Sequence, residues 1–309
     1  MSERIGTSAE LLDFYRTQTE ITNPEPHREV FENLPNAIPA LYRAIQGSLI
    51  HMWWISEQNY GFTQADLADD GREILDEISL RTTADMLGAI LEMDPRPLTE
   101  AREARQRLVG NCRDYTVLLV SILRYRGIPA RARTGTARYF FPEAKRLEDH
   151  WICEWWNESD ERWQQTDAQI DDLMKRAMKL PFDPIDLPEG QFLTGWECYD
   201  ELTSGRVEPE EIGMPPDFCG MGYVRNKMLE DLAAVTGEEV LPWAGWGIGG
   251  TDGGTVPGDE ALIGRMADLL KRINEPPVLQ EACDLMVSHP RLKRPKGYDP
   301  GKFRKEWLG

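Results

Sequence analysis

Apolar residues recur three and four apart in two early stretches, Ala37 to Ile50 (Ile38, Leu41, Ile45, Leu49) and Thr83 to Met93 (Met86, Leu87, Ile90, Leu91). Each spacing predicts an amphipathic helix. Pro35, Pro39, Pro95 and Pro97 punctuate them. A third helix is expected from the capping residue Thr99 through Arg107, broken by Gly110 and Asn111. From Cys112 to Arg126 the apolar set Tyr115, Val117, Leu118, Leu119, Val120, Ile122 and Leu123 is nearly continuous. That helix should be buried on most sides, capped by Asn111 and stopped by Gly127 and Pro129.

The pattern then turns to strands at Ala130 to Ala137, His150 to Trp156 and Arg162 to Ala168, the last two joined as a hairpin through Asn157-Glu158-Ser159-Asp160. Beyond them helices are expected at Gln191 to Leu202, Tyr223 to Val235 and Asp259 to Ile273. A glycine-rich stretch from Trp246 to Glu260 separates the last two. It lacks the G-x-x-x-x-G-K-[ST] pattern and no strand leads into it, so it reads as a mobile surface loop. No repeat or linker divides the chain. The expectation is one α+β domain over residues 1–309: a helical N-terminal part (1–98), a mixed core (99–175) and a mostly helical C-terminal part (176–309).

Composition narrows the class. With 309 residues, 41% hydrophobic and 28% charged, the chain belongs with globular proteins and outside the disordered, collagenous and membrane-spanning ones. Lys plus Arg total 35 against 53 Asp plus Glu, a formal charge of −18, which argues against nucleic acid as a partner. The charge is uneven. Residues 101–146 hold eleven basic side chains against three acidic ones, so this stretch is +8 and the remainder −26. The N-terminal sequence has no basic region followed by an apolar run, and nowhere do eighteen apolar residues stand together, so neither a signal peptide nor a membrane span is expected. Five scattered cysteines without a C-x-x-C pair suggest free thiols in a cytoplasmic protein. With four histidines, no metal or other cofactor is expected.

Candidate chemistry begins at Cys112. The first turn of a helix offers unpaired N–H groups and the positive end of the dipole, both of which favour a thiolate; the alternative is a small core residue. The same N–H groups could hold an oxyanion. A thiolate nucleophile wants an imidazole, and His150 opens a strand in EDHWICEWW, with Asp167 in the next strand, WQQTDAQ. A four-residue loop at Asn157–Asp160 would set His150 opposite Asp167, and a two-residue turn at Ser159-Asp160 would make them diagonal neighbours. Either even connection keeps them on one face; an odd one separates them.

These segments, GNCRDYTVLLVSILRYRGIPARARTG and DHWICEWWNESDERWQQTDAQ, resemble the transglutaminase-like superfamily of cysteine enzymes between about Gly110 and Gln169. The matching features are a cysteine opening a buried helix that ends in Gly127-Ile128-Pro129-Ala130-Arg131, a histidine before an aromatic (His150-Trp151), and an aspartate in a W-x-x-x-D pattern (Trp163, Asp167). The resemblance implies a papain-related core in residues 99–175, a nucleophile helix packed on an antiparallel sheet. It also implies a Cys112–His150–Asp167 triad and acyl transfer through a thioester.

The oxyanion partner is not fixed by the motif. Trp53, Trp54 and Gln46, in AIQGSLIHMWWISEQNYG, carry suitable N–H groups, although the tryptophans read more readily as core anchors. His51 stands close by. Arg113 either acidifies the thiol and meets a substrate carboxylate, or pairs with Asp114. Arg131 and Arg133, on one strand face, either pair with the protein's own acids or line an anionic substrate's path. Cys153 reads as packing, and Asp171, Asp172 and Asp252 as surface charges. The expected activity is hydrolysis of a peptide or other amide bond, or of an ester. An acyltransferase working on a small-molecule or carrier-bound acyl substrate, and a non-catalytic peptide-binding module, are the alternatives. No membrane partner is expected, and the sequence says nothing of oligomeric state.

Overall fold

The computed structural model describes residues 4–216, 218–250 and 258–298. Residues 251–257 of the glycine-rich stretch, Asp252 among them, lie outside the described residues. The chain forms two compact units, each drawn from discontinuous segments.

One unit comprises Arg16–Ala130 and Ile152–Leu187. Its centre is the helix Cys112–Tyr125, in which every residue from Cys112 to Arg124 is buried. Its valines and isoleucine are mediocre helix formers, disfavoured by up to about 0.7 kcal/mol each. Burying each such side chain returns about 1.5–3 kcal/mol, so packing decides the conformation. The start is fixed locally. Asn111 accepts from the Arg113 N–H and Asp114 accepts from the Asn111 N–H at 2.9 Å, a reciprocal cap. Helices Ile38–Gln46 and Thr83–Met93 pack against it.

The apolar run read as a helix to Ile50 ends sooner, at Gln46. After Gly47, Leu49–His51 forms a strand parallel to Leu108–Gly110, with Leu49 opposite Leu108 and His51 opposite Gly110. The helix expected from Thr99 to Arg107 is absent, and only a 3-10 turn, Ala104–Gln106, forms there. The segment has no apolar face to bury. Arg102 instead turns inward, donating to the carbonyls of Asp94 and Arg96 and to Ser48.

In the same unit the end of the strand Arg146–Asn157 pairs antiparallel with Arg162–Thr166, Cys153 facing Thr166 and Asn157 facing Arg162. The connection is therefore four residues, Glu158 to Glu161, an even number. Glu161 takes a left-handed backbone (φ 49°) to close it.

The other unit comprises Met1–Tyr15, Arg131–Trp151 and Pro188–Gly309. Here the strand Ala130–Phe141 pairs antiparallel with Phe192–Thr194, Gly135 opposite Thr194. A Cβ at Gly135 would stand 1.9 Å from the Leu193 carbonyl oxygen, so only glycine lets the strands approach. Within this unit the first part of the strand Arg146–Asn157 lies beside Ala130–Phe141 on the side away from Phe192–Thr194. The helix read from Gln191 starts only at Gly195, because Phe192–Thr194 joins the sheet. Thr194 and Glu197 then cap the helix Gly195–Thr203.

At the centre of this unit lies the helix Gly220–Val235, flanked by Gly195–Thr203, Asp259–Lys271 and Pro276–Ser288. It is buried despite carrying Arg225, Lys227, Glu230 and Asp231. Among the described residues no helix is long and apolar enough to cross a membrane.

Candidate active site

Cys112 is the first residue of its helix and 7% exposed, so its thiol stands at the positive end of the dipole within a buried setting. Thr116, one turn on, donates its hydroxyl to the Cys112 carbonyl at 3.0 Å. Arg113 is fully buried and turned away from solvent. Its guanidinium donates to the carbonyls of Leu80 and Arg81 and pairs with Asp114 at 3.2 Å. Burial pushes the Asp114 carboxyl up to about 6, against the opposing pull of Arg113 and of the Asn111 N–H. Asp114 was missed as a functional position by sequence reading, yet the signal was present: Asn111 followed three residues later by an acid is a capping-box spacing.

Asp167 lies in the same unit as Cys112, just past the strand end at Thr166, and is buried. Its backbone N–H donates to the Pro184 carbonyl, and its carboxylate accepts the Gln169 N–H at 2.9 Å. The preceding Thr166 hydroxyl bonds Tyr42 and the Pro184 carbonyl. Gln46 completes this anchorage. Its side-chain amide donates to the carbonyls of both Ala168 and Ile170, at 3.0 and 3.2 Å, so both of its N–H groups brace the chain beside Asp167. Gln46 thereby supports that segment.

His51, buried and opposite Gly110 two residues before Cys112, faces the Tyr115 ring at 6.5 Å between centroids. Its Nδ1 accepts the Trp53 N–H. Trp53 is 58% exposed, a surface residue rather than a core anchor, and Trp54 is half-buried, its carbonyl held by Asn59.

His150 belongs to the other unit, near the middle of the strand Arg146–Asn157, and is buried. Tyr139, Phe140 and Phe192 surround its ring edge-to-face, at centroid separations of 6.0, 4.9 and 6.4 Å. The neighbouring Glu148 carboxyl is pushed up to about 7 by burial, against the pull of Arg146. On the other side, Asp149 accepts from the Tyr223 hydroxyl at 2.8 Å and pairs with Lys227 at 2.6 Å. Lys227 also pairs with Glu230 at 2.5 Å, and Asn226 donates to Glu230 at 2.7 Å. This buried network escaped sequence reading because its members are about 75 residues apart and carry no motif.

The basic stretch is largely consumed within the protein. Arg133 forks onto Asp231 through two 2.8 Å bonds, and Arg131 lies over the Tyr15 ring and donates to Asn274. Arg105, Arg138 and Arg146 pair with Asp70, Glu201 and Glu148. Arg102, Arg107, Arg124 and Arg126 donate to backbone carbonyls. Cys153, read as packing, is buried in its strand, and Asp171, read as a surface charge, caps the helix Asp172–Ala177. Among the described residues no group of three His, Cys, Asp or Glu side chains is disposed to hold a metal ion.

Residues 69–168 match the model of the transglutaminase-like superfamily, a span that contains Cys112, His150 and Asp167. That match covers about a third of the chain, and the α+β architecture with an antiparallel sheet agrees with it. Among solved structures it is similar to a Cytophaga hutchinsonii protein provisionally described as a cysteine protease, at 17% identity and a TM-score of 0.24. That similarity covers 55% of this chain and 40% of the other. No curated protein matches the chain.

Proposed function

We propose that this protein is a cysteine-nucleophile enzyme that acts on an amide or ester carbonyl through a thioester, with Cys112 as nucleophile, His150 as base and Asp167 as the residue that orients the imidazole. The observation that carries the reading is the position of Cys112 at the capped start of a buried helix, inside the region that matches the superfamily. The fixed setting of Asp167, bonded at its own N–H and braced by Gln46 on the following carbonyls, supports the orienting role. So does the even hairpin connection, on which the sequence argument for His150 and Asp167 depends.

In this mechanism His150 takes the thiol proton and Cys112 Sγ attacks the carbonyl carbon. The oxyanion is met by N–H groups of the helix start. Collapse expels the leaving amine or alcohol, which receives the proton from His150 and leaves the acyl group on sulfur. Water, deprotonated by His150, then attacks the thioester, releasing the acid and restoring the thiol. Hydrolysis of a peptide or amide bond is the favoured outcome, because water needs no dedicated site.

Intact-protein mass spectrometry during incubation with activated acyl donors tests the reading, with and without a primary amine. A transient acyl adduct that is absent in Cys112→Ala and decays to free acid alone is expected. Decay to an amide when amine is present makes the protein an acyltransferase, and no adduct with any donor removes the covalent mechanism.

A further inference from the structure

The sequence offers Gln46, Trp53 and Trp54 as side-chain donors to an oxyanion, and the fold employs or exposes two of them. Both side-chain N–H groups of Gln46 are spent on the Ala168 and Ile170 carbonyls, and Trp53 stands 58% exposed. His51 is placed differently. It is buried, ends the strand Leu49–His51 opposite Gly110, and lies against Tyr115 with 6.5 Å between ring centroids. Gly110 is two residues before Cys112, and Tyr115 is three after it, on the same face of the helix. Long side chains on a helix lean toward its N-terminus, so the Tyr115 ring covers the turn that Cys112 opens, and the imidazole beside it stands at that turn.

The other nitrogen fixes the chemistry of the ring. Nδ1 accepts the Trp53 N–H at 3.3 Å, capping the 3-10 turn Met52–Trp54. An Nδ1 that accepts carries no proton, so the imidazole is neutral and its proton sits on Nε2. Nε2 then has no lone pair with which to take the thiol proton, and the lone pair of Nδ1 is committed to Trp53. A neutral imidazole held in this tautomer is a donor, suited to an oxygen on which negative charge develops.

Resting on the thioester chemistry proposed for Cys112, we infer that His51 is a further catalytic residue, the side-chain donor of the oxyanion hole. As Sγ bonds the carbonyl carbon, the C=O π pair moves onto oxygen, and the His51 Nε2–H donates to that oxygen alongside the N–H groups of the helix start. No proton leaves His51. The pair returns to the C=O bond when the leaving group departs, and the same donation recurs when water attacks the thioester.

The test is the burst of p-nitrophenol from p-nitrophenyl acetate in wild type, His51→Asn and His51→Gln, with the rate of Cys112 alkylation by iodoacetamide and the Tm measured on each. Asn sets its Oδ1 where Nδ1 stands, so it keeps the cap on Trp53 and deletes the distal donor; Gln sets an N–H near Nε2 and gives up the cap. His51→Asn should acylate about 10²–10³-fold more slowly with KM changed by less than about twofold, and His51→Gln should recover to within about tenfold of wild type. Iodoacetamide is attacked at a saturated carbon and builds no oxyanion, so alkylation should stay within about twofold of wild type in both variants. An active Asn variant beside an inactive Gln variant makes His51 a structural cap and overturns the inference. Alkylation lost in parallel with acylation, or a fall in Tm that accounts for the loss in both variants, overturns it too. A burst absent from wild type removes the thioester reading as well, whereas a wild-type burst that His51→Asn retains removes only the role of His51.

Discussion

Two buried helices organise the two units, and they solve the problem of buried charge in different ways. In Cys112–Tyr125 the charged residues are answered mainly by the backbone. Arg113 and Arg124 donate to carbonyls, and Asp114 closes the helix cap, leaving the first position to the thiol. In Gly220–Val235 the charges are answered by other charged side chains, Asp231 by Arg133 and Lys227 by Asp149, and the start of the helix carries no cap. Backbone carbonyls cannot change ionisation state, whereas carboxylates can. The second helix should therefore be more sensitive to the loss of a single acid, while the pH sensitivity of the first rests on its one buried carboxyl, Asp114.

The largest effect expected from that contrast falls on the second helix. Asp231 accepts from Arg133 twice, from Thr134 and from Gly195, so Asp231→Ala strands a buried arginine and should cost about 3–5 kcal/mol, read by urea unfolding. A loss below about 1 kcal/mol would show that the network is not holding this unit.

Next comes pH. The Asp114 and Glu148 carboxyls stand at about 6 and 7, and burial also raises Glu230. Each is above its ordinary value, so the folded protein holds more protons than the unfolded chain between about pH 4 and 7, and stability falls as pH rises through that window. Asp114 alone contributes about 3 kcal/mol of that fall. Unfolding free energies at pH 5 and 7.5 should show the decline, and Asp114→Asn should flatten it; an unchanged slope in the variant assigns the effect elsewhere.

Smaller still is Gln46→Ala, which leaves the carbonyls of Ala168 and Ile170 unpaired and should cost about 1–3 kcal/mol in urea. The cost should come with a lower acylation rate if that segment sets Asp167. At the bottom of the scale, Arg206→Ala removes only exposed pairs with Asp200 and Glu201, and no change in Tm is expected.

The contrast also explains what could be read from the sequence. The helix Cys112–Tyr125 was legible because its apolar run, its Asn111 cap and its Gly127-Ile128-Pro129 stop all agree locally. The strands of the hairpin were legible for the same reason. The burial of Gly220–Val235 was not, since RNKMLED reads as a solvated face until Asp149 and Arg133 arrive from distant strands to neutralise it. The parallel pair Leu49–His51 with Leu108–Gly110 was hidden too, because three-residue strands leave no periodicity and their pairing is non-local. At the site, residue types and order pointed to Cys112, His150 and Asp167. The carbonyl-directed roles of Gln46 and Arg113 emerged only with the fold.

The central claim is that Cys112 is an activated thiol served by His150, and its most direct test is the pH dependence of iodoacetamide alkylation, mapped by peptide mass spectrometry. Cys198 and Cys283 are internal references, since burial pushes both thiols up to about 12. Cys112 is expected to react at pH 6–7 while those two stay unmodified, and His150→Gln should slow it by at least about tenfold at the same pH. Cys112 that reacts only as an ordinary thiol, titrating near about 8.5 and unchanged by His150→Gln, would contradict the account.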